Sequence, residues 1–105
     1  MAQTINWKKQ NDWVDSVYAT LNTDQKIAQL MIIAAFNNKD KAHIQDIECH
    51  VRELGVGGLI FFKGTPYRQA VLTNQYQKLS KIPLFISIDG EWGLNMRLDS
   101  TPVFP

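Results

Sequence analysis

The chain has 105 residues, with 11 Lys plus Arg against 10 Asp plus Glu and a formal net charge of +1. That length suits one ordinary domain and excludes an enzyme with separate binding and catalytic domains. Hydrophobic residues at 45% and charged residues at 20% are typical of a folded globular chain. The near-neutral charge argues against nucleic-acid binding, and no apolar run is long enough to predict a membrane span.

Cysteine content and the first residues bear on the compartment. Cys49 is the single cysteine, which excludes an internal disulfide and a Cys-based zinc cluster, and we expect it to be partly exposed. Met1-Ala2-Gln3 lacks the basic and apolar regions of a signal peptide. A mature form that begins after a removed signal would look the same, so a periplasmic or secreted location and a cytoplasmic one both stay open.

A helical lead-in is predicted over the first 22 residues. Its apolar positions recur at helical spacing: Val14, Val17, Tyr18 and Leu21. We expect this helix over 12–21, with Asn11 or Asp12 as its N-cap. A second, short helix is expected directly afterwards, capped by Asn22 or Thr23.

Three apolar runs without alternation follow, as is typical of strands covered on both faces of a sheet. These predicted strands lie near 31–36, 58–62 and 84–88. The intervening segments predict helices near 42–54 and 66–80. Gly55 would end the first of these helices. Thr65 would cap the second, with Pro66 at its first position.

Strands that alternate with helices predict an α/β fold, built as a parallel βαβαβ unit in which consecutive strands are neighbours. Right-handed crossovers would put both connecting helices on one face of the sheet. The other face and two strand edges would then be bare, which a complete domain avoids. We therefore expect a single partial domain over 1–105, with 1–22 as the helical lead-in and 23–105 as three strand units.

Ligands of parallel α/β proteins gather at the carboxyl ends of the strands. The three predicted strand exits carry Asn37, Lys63-Gly64 and Asp89-Gly90-Glu91. Asp89 comes directly after a buried strand, so its carboxylate is well placed to accept hydrogen bonds from ligand hydroxyls. Asp-Gly is also a common turn dipeptide, and a purely local capping role stays open.

The segment from Asp89-Gly90-Glu91-Trp92-Gly93 to Arg97 resembles the Asp-x-Glu-x-Gly…Arg segment of bacterial family 3 glycoside hydrolases. In that family the segment follows the third strand of an N-terminal (β/α)8 barrel. Further segments resemble the same barrel in the same order: 21–30 its opening helix, 57–62 its glycine-led second strand, 68–74 and 83–84 the next helix and strand, and Phe104-Pro105 its Phe-Pro pair. Trp92 departs from the commonest pattern, which has glycine there.

This resemblance implies the first third of a TIM barrel from a retaining, exo-acting β-glycosidase. A β-N-acetylhexosaminidase is favoured over a β-glucosidase, because the glucosidase branch often has His-Gly after its aspartate. By the same resemblance, Asp89 accepts sugar hydroxyls in the subsite for the non-reducing terminal residue. Glu91 and Arg97 would brace that loop, and the three together are the predicted substrate-binding residues.

The family's nucleophile and acid/base lie downstream of the matched segment. The resemblance therefore implies no catalytic residue within 1–105, an inactive isolated chain, no cofactor and no metal. The expected partner is a carbohydrate with a terminal β-linked sugar, and an exposed sheet face would favour self-association. The alternative is an autonomous, non-catalytic α/β binding or interaction module.

Two other groups of side chains invite a functional interpretation. His43 and His50 lie seven residues apart and could ligate zinc together with Asp46. A zinc site needs three or four supported ligands, so we favour a packing role. Trp7 and Trp13 could form a carbohydrate platform, but we expect them to bury against the bottom of the sheet.

Overall fold

The structure is a computed structural model that describes residues 4–103. Met1-Ala2-Gln3 and the Phe104-Pro105 pair, on which two predictions depend, lie outside that range. The helices are α1 (Trp7–Ala19), α2 (Thr23–Ala28), α3 (Lys41–Cys49) and α4 (Pro66–Leu79), and the strands are β1 (Ile32–Phe36), β2 (Gly58–Phe62) and β3 (Phe85–Ile88). A π-helical turn (His50–Leu54) extends α3, and a short 3-10 turn (Leu94–Met96) follows β3.

The three strands form one parallel sheet in the order β1-β2-β3. Ile32 lies level with Gly58, and Gly58 with Phe85, so the strands begin together at one edge. The predicted α/β class, the parallel pairing and the neighbouring order are therefore confirmed. The strand bounds agree with the sequence prediction to within one residue.

The first helix begins earlier than predicted. Asn6, not Asn11 or Asp12, is the N-cap of α1, and its side chain accepts a hydrogen bond from the Lys9 N–H. Asn11 and Asp12 lie inside the helix. The prediction was wrong because apolar spacing marks the face of a helix, whereas the cap is set by whichever side chain satisfies a free N–H at its start.

The first helix also ends at Ala19, two residues before the predicted end. Three other predicted helix caps are confirmed. Asn22 caps α2 and exchanges two hydrogen bonds with Gln25, each side chain bonding the other residue's N–H. Thr65 caps α4 and accepts a hydrogen bond from the Arg68 N–H. Gly55 stops the helix after α3 in the left-handed conformation, with φ of 72°.

The π-helical turn at the end of α3 was not predicted. Here the Gly55 N–H donates to the carbonyl of His50, five residues earlier. Apolar residues at helical spacing in the predicted helix over 42–54, among them Val51 and Leu54, are expected to share one buried face. The wider turn changes the angular position of each later residue, so Val51 is buried in the core whereas Leu54 is exposed.

The core lies between one face of the sheet and the helices α3 and α4. Its members are Ala35, Ile47, Val51, Val56, Leu59, Phe61, Leu72, Tyr76 and Leu84. Phe61 stacks on Tyr76 with ring centroids 6.4 Å apart. Burial of the phenol, aided by the nearby Glu48 carboxylate, raises the pKa of Tyr76 to about 12.

The opposite side of the sheet, called the open face below, carries the alternate residues of each strand: Ile32, Ala34, Phe36, Gly58, Ile60, Phe62, Phe85 and Ser87. Ile32 is 55% exposed and Phe85 is 77% exposed. No helix among residues 4–103 packs over this face. The fold is thus a two-layer, open α/β unit, about 20 Å along its shortest axis.

The two N-terminal tryptophans are more exposed than predicted. Trp7 and Trp13 each present more than half of their surface to solvent, which contradicts the expected burial. Trp13 nevertheless lines an apolar groove that α1 forms with the residues leading into β3, near Leu84. For Trp13 the predicted direction of packing was therefore correct, but the predicted burial was wrong for both residues, because the groove encloses too little of an indole ring to bury it.

Candidate functional site

Three strand exits lie along the carboxyl edge of the sheet, because all three strands run in the same direction. Asn37 follows β1, Lys63 follows β2, and Asp89 follows β3. This edge brings together residues from three distant parts of the sequence. It is the usual ligand-binding edge of parallel α/β folds, and we take it as the candidate site.

Asp89 is held in place by Arg97. The Arg97 Nη2 donates to the Asp89 Oδ2 at 2.9 Å, and the Arg97 Nε donates to the Asp89 carbonyl at 2.7 Å. The Arg97 side chain is only 20% exposed, whereas that of Asp89 is 53% exposed. One carboxylate oxygen is therefore fixed by the guanidinium, while the side chain as a whole still faces solvent.

The chain between these two residues turns back on itself. Gly93 adopts a φ of 102°, which favours glycine, and it leads into the 3-10 turn. The Arg97 N–H then donates to the Leu94 carbonyl, and the buried Leu98 side chain anchors the end of the turn. This local geometry carries Arg97 back to the end of β3.

Two stacked phenylalanines lie next to this pair on the open face. The rings of Phe36 and Phe62 are 5.4 Å apart between centroids. The Arg97 guanidinium lies over Phe62 at 4.8 Å, and the Lys39 ammonium lies over Phe36 at 4.4 Å. The site therefore combines a carboxylate, two cations and an apolar ring surface, which is a suitable composition for a polyhydroxylated ligand that also has apolar faces.

The exit of β2 is a tight turn. Lys63 has a φ of 57° and Gly64 has a φ of 113°. A Cβ atom on Gly64 would lie 2.4 Å from the Cβ of Asn37, so only glycine fits there. The Gly64 carbonyl accepts a hydrogen bond from the Asp99 N–H at 2.8 Å. The turn is thus tied to the segment that supplies Arg97.

Asn37 supports the carboxyl edge of the sheet through hydrogen bonds to β2 and to α4. Its backbone N–H donates to the carbonyls of Phe62 and Lys63, and its side-chain Nδ2 donates to Gln69 on α4. The residue is completely buried. Within the described part of the chain its Oδ1 has no hydrogen-bond partner. The sequence predicts Asn37 at a strand exit, where ligands gather. Its complete burial means that it supports the edge of the sheet and does not face a ligand.

Glu91 is exposed after β3, and no hydrogen bond or ion pair between residues 4 and 103 involves its side chain. Its predicted bracing role stays a prediction. Arg97 and Asp89, by contrast, are brought together.

His43 has a role that the sequence analysis missed. Its Nε2 accepts a hydrogen bond from the Phe36 N–H at 2.9 Å. That N–H points away from β2, because the next N–H, of Asn37, bonds to β2. Burial, reinforced by the nearby Lys39, lowers the pKa of His43, which suits an imidazole that must accept a hydrogen bond. The position of His43 in the first turn of the helix after β1 was the available signal.

His50 is engaged separately, since its Nδ1 donates to the Asp46 carbonyl at 2.7 Å. No group of three or more His, Cys, Asp or Glu side chains that could hold a metal occurs among residues 4–103. Cys49 is exposed, as predicted.

Comparison with known proteins adds no assignment. No family model matches the sequence, and no curated protein shows significant similarity to it. In the range that the structure covers, no helix is both long enough and apolar enough to cross a membrane.

Proposed function

We propose that this chain is the N-terminal portion of a retaining, exo-acting β-glycosidase similar to family 3 glycoside hydrolases, with β-N-acetylhexosaminidase activity favoured over β-glucosidase activity. Its role in that enzyme is to bind the terminal β-linked sugar through Asp89, with Arg97 as the brace and Glu91 on the same loop. A retaining enzyme of this kind needs a nucleophilic carboxylate and an acid/base group at the scissile bond. By resemblance both catalytic groups lie downstream, so the chain alone is inactive.

The observation that carries the proposal is the pair of hydrogen bonds from Arg97 to Asp89. They hold one carboxylate oxygen and the backbone carbonyl, so the half-exposed carboxylate keeps acceptor capacity for a sugar hydroxyl. A fixed, charged acceptor loses little conformational entropy when it binds a ligand. This arrangement supports a binding role for Asp89 over a simple turn cap.

The sheet supports the barrel part of the proposal. Its strands follow one another in a single direction, and both crossover helices lie on the same face. The first three units of a (β/α)8 barrel wind in this way, with helices outside and strand side chains inside. In the proposed enzyme the open face is the barrel interior, covered by the other strands. In the isolated chain the same face favours self-association.

The test is an assay of the protein that the natural reading frame encodes, wild type against Asp89→Ala, with p-nitrophenyl N-acetyl-β-D-glucosaminide and the matching glucoside. We expect hydrolysis of the first substrate to be faster. Asp89→Ala should lower kcat/KM at least tenfold, since loss of a hydrogen bond to a charged group costs about 1.5–3 kcal/mol.

Asp15→Ala, on the exposed surface of α1, is the control and should retain the wild-type rate. Activity of Asp89→Ala within twofold of wild type would remove Asp89 from the sugar subsite. A folded protein that hydrolyses neither substrate would favour the alternative of a non-catalytic interaction module.

A further inference from the structure

Lys63 has an unusual backbone conformation for its residue type. Lys63 and Ser100 are the two residues other than glycine with positive φ between positions 4 and 103, at 57° and 61°. In this region the Cβ atom of an L-residue crowds the backbone, whereas glycine adopts it freely. A lysine at the end of β2 therefore destabilises the fold relative to a residue that suits the turn, and such outliers concentrate at functional sites.

The turn cannot relax to remove this strain. The Lys63 carbonyl accepts a hydrogen bond from the buried Asn37 N–H, and the next residue, Gly64, packs against the Asn37 side chain. The Gly64 carbonyl is bonded to the Asp99 N–H. The backbone on both sides of the Lys63 side chain is thus held by β1 and by the segment after β3.

Lys63 and Asp89 lie at the exits of neighbouring strands. Phe61 is paired with Ile88, so Phe62, the last residue of β2, is level with Asp89, and Lys63 comes directly after it; the two strands lie about 4.8 Å apart. Lys63 is exposed, and no hydrogen bond or ion pair within the described range occupies its ammonium group. Arg97, the other cation at this exit, is already committed to Asp89.

We infer that Lys63 is a further substrate-binding residue, whose ammonium group donates hydrogen bonds to hydroxyl groups of the same sugar that Asp89 binds. The inference rests on the proposed function. A carboxylate only accepts hydrogen bonds and an ammonium only donates them, whereas each sugar hydroxyl does both. Asp89 and Lys63 on adjacent strands therefore supply complementary partners for neighbouring hydroxyls, and this role accounts for a lysine where glycine would fit the backbone better.

The test compares Lys63→Gly with Ser100→Gly in the protein that the natural reading frame encodes, with p-nitrophenyl N-acetyl-β-D-glucosaminide as the probe. Both variants remove a side chain from a left-handed residue, so neither should lower the midpoint of thermal unfolding. Lys63→Gly should lower kcat/KM about tenfold or more, as expected for a lost charged hydrogen bond. Ser100→Gly should stay within twofold of wild type.

Lys63→Met and Lys63→Arg complete the design. Lys63→Met keeps the length of the side chain without its donors and should lose as much activity as Lys63→Gly, and it decides the question if the glycine variant unfolds. Lys63→Arg keeps a cationic donor, and its kcat/KM should fall between those of wild type and Lys63→Met. If Lys63→Met hydrolyses the probe within twofold of wild type while Asp89→Ala is impaired, the inference about Lys63 is wrong and the proposed function stands. If Lys63→Met and Asp89→Ala both hydrolyse the probe within twofold of wild type, the sugar-binding roles of both residues are wrong. A folded wild-type protein that does not hydrolyse the probe contradicts the proposed function itself.

Discussion

The two faces of the sheet carry similar residues in very different surroundings. Leu59 and Phe61 of β2 are completely buried under α3 and α4, whereas Ile32 and Phe85 on the open face are more than half exposed. Apart from Ser87, whose hydroxyl donates to the Leu59 carbonyl, all three strands are apolar on both sides, a pattern typical of strands that are covered twice. The strands are therefore suited to burial on both faces of the sheet, but residues 4–103 cover only one of them.

Similar apolar side chains therefore stabilise different processes on the two faces: folding on the covered face and association on the open face. On the covered face, burial of apolar surface stabilises the fold of this chain itself. On the open face, the same surface is available to stabilise an association, either with further strands of a barrel or with another molecule. Each face should therefore respond to mutation in its own way.

The largest expected effect is on folding stability at the covered face. Phe61→Ala removes a fully buried ring that stacks on Tyr76 and should destabilise the chain by about 3–5 kcal/mol. Phe85→Ala, the matched change on the open face, should leave the free energy of unfolding nearly unchanged, since Phe85 is mostly exposed. Urea denaturation of both variants, at a concentration low enough for the chain to be monomeric, measures the difference. Equal losses would show that another part of the same chain covers the open face.

An intermediate effect is expected on association. A few hundred Å2 of exposed apolar surface corresponds to several kcal/mol at about 25 cal/mol per Å2. We therefore expect the isolated chain to self-associate at micromolar concentration, and Phe85→Lys to shift the population towards monomer. Tyr67→Lys, at an exposed position on α4, is the matched control and should not change the mass measured by light scattering. A cooperatively folding wild-type monomer would contradict the truncated barrel and favour the autonomous module.

The smallest effect concerns pH at the outer edge of β1. The pKa of His43 in the folded chain lies below its ordinary value of 6.5, chiefly because the imidazole is partly buried. The unfolded chain therefore binds a proton at His43 more readily than the folded chain does. Neutral His43 contributes to folding stability above pH 6.5, and this contribution is lost as the pH falls from 6.5 to the lowered pKa of the folded chain. Protonation also removes the acceptor for the Phe36 N–H.

Urea midpoints at pH 7.5 and pH 5 measure this effect. The loss at pH 5 should be smaller in His43→Gln than in wild type, because glutamine does not titrate. His50→Gln serves as the control, because the His50 ring bonds a carbonyl within its own helix. Its urea midpoint should change between the two pH values as much as that of wild type. An identical change in all three proteins would show that other groups govern the response to acid.

The sequence by itself determined the order of elements and the strand positions, because apolar runs mark the strands. It also determined most helix caps, since Asn22, Thr65 and Gly55 act through local backbone geometry. It also singled out Asp89 as the residue at the end of β3. The start of α1 and the π-helical turn after α3 escaped prediction, since each depends on which of several competing hydrogen bonds forms.

Only the tertiary structure decided how the candidate site is assembled. The bonds from Arg97 to Asp89, the strained turn at Lys63 and the buried support from Asn37 bring residues from positions 37 to 97 into one site. Such contacts follow from strand register and from the return of the chain after β3, which no local pattern encodes. The difference between the two faces of the sheet was also decided by the tertiary structure. An apolar strand indicates that both of its sides can be covered, and the packing of α3 and α4 decides which side is covered here.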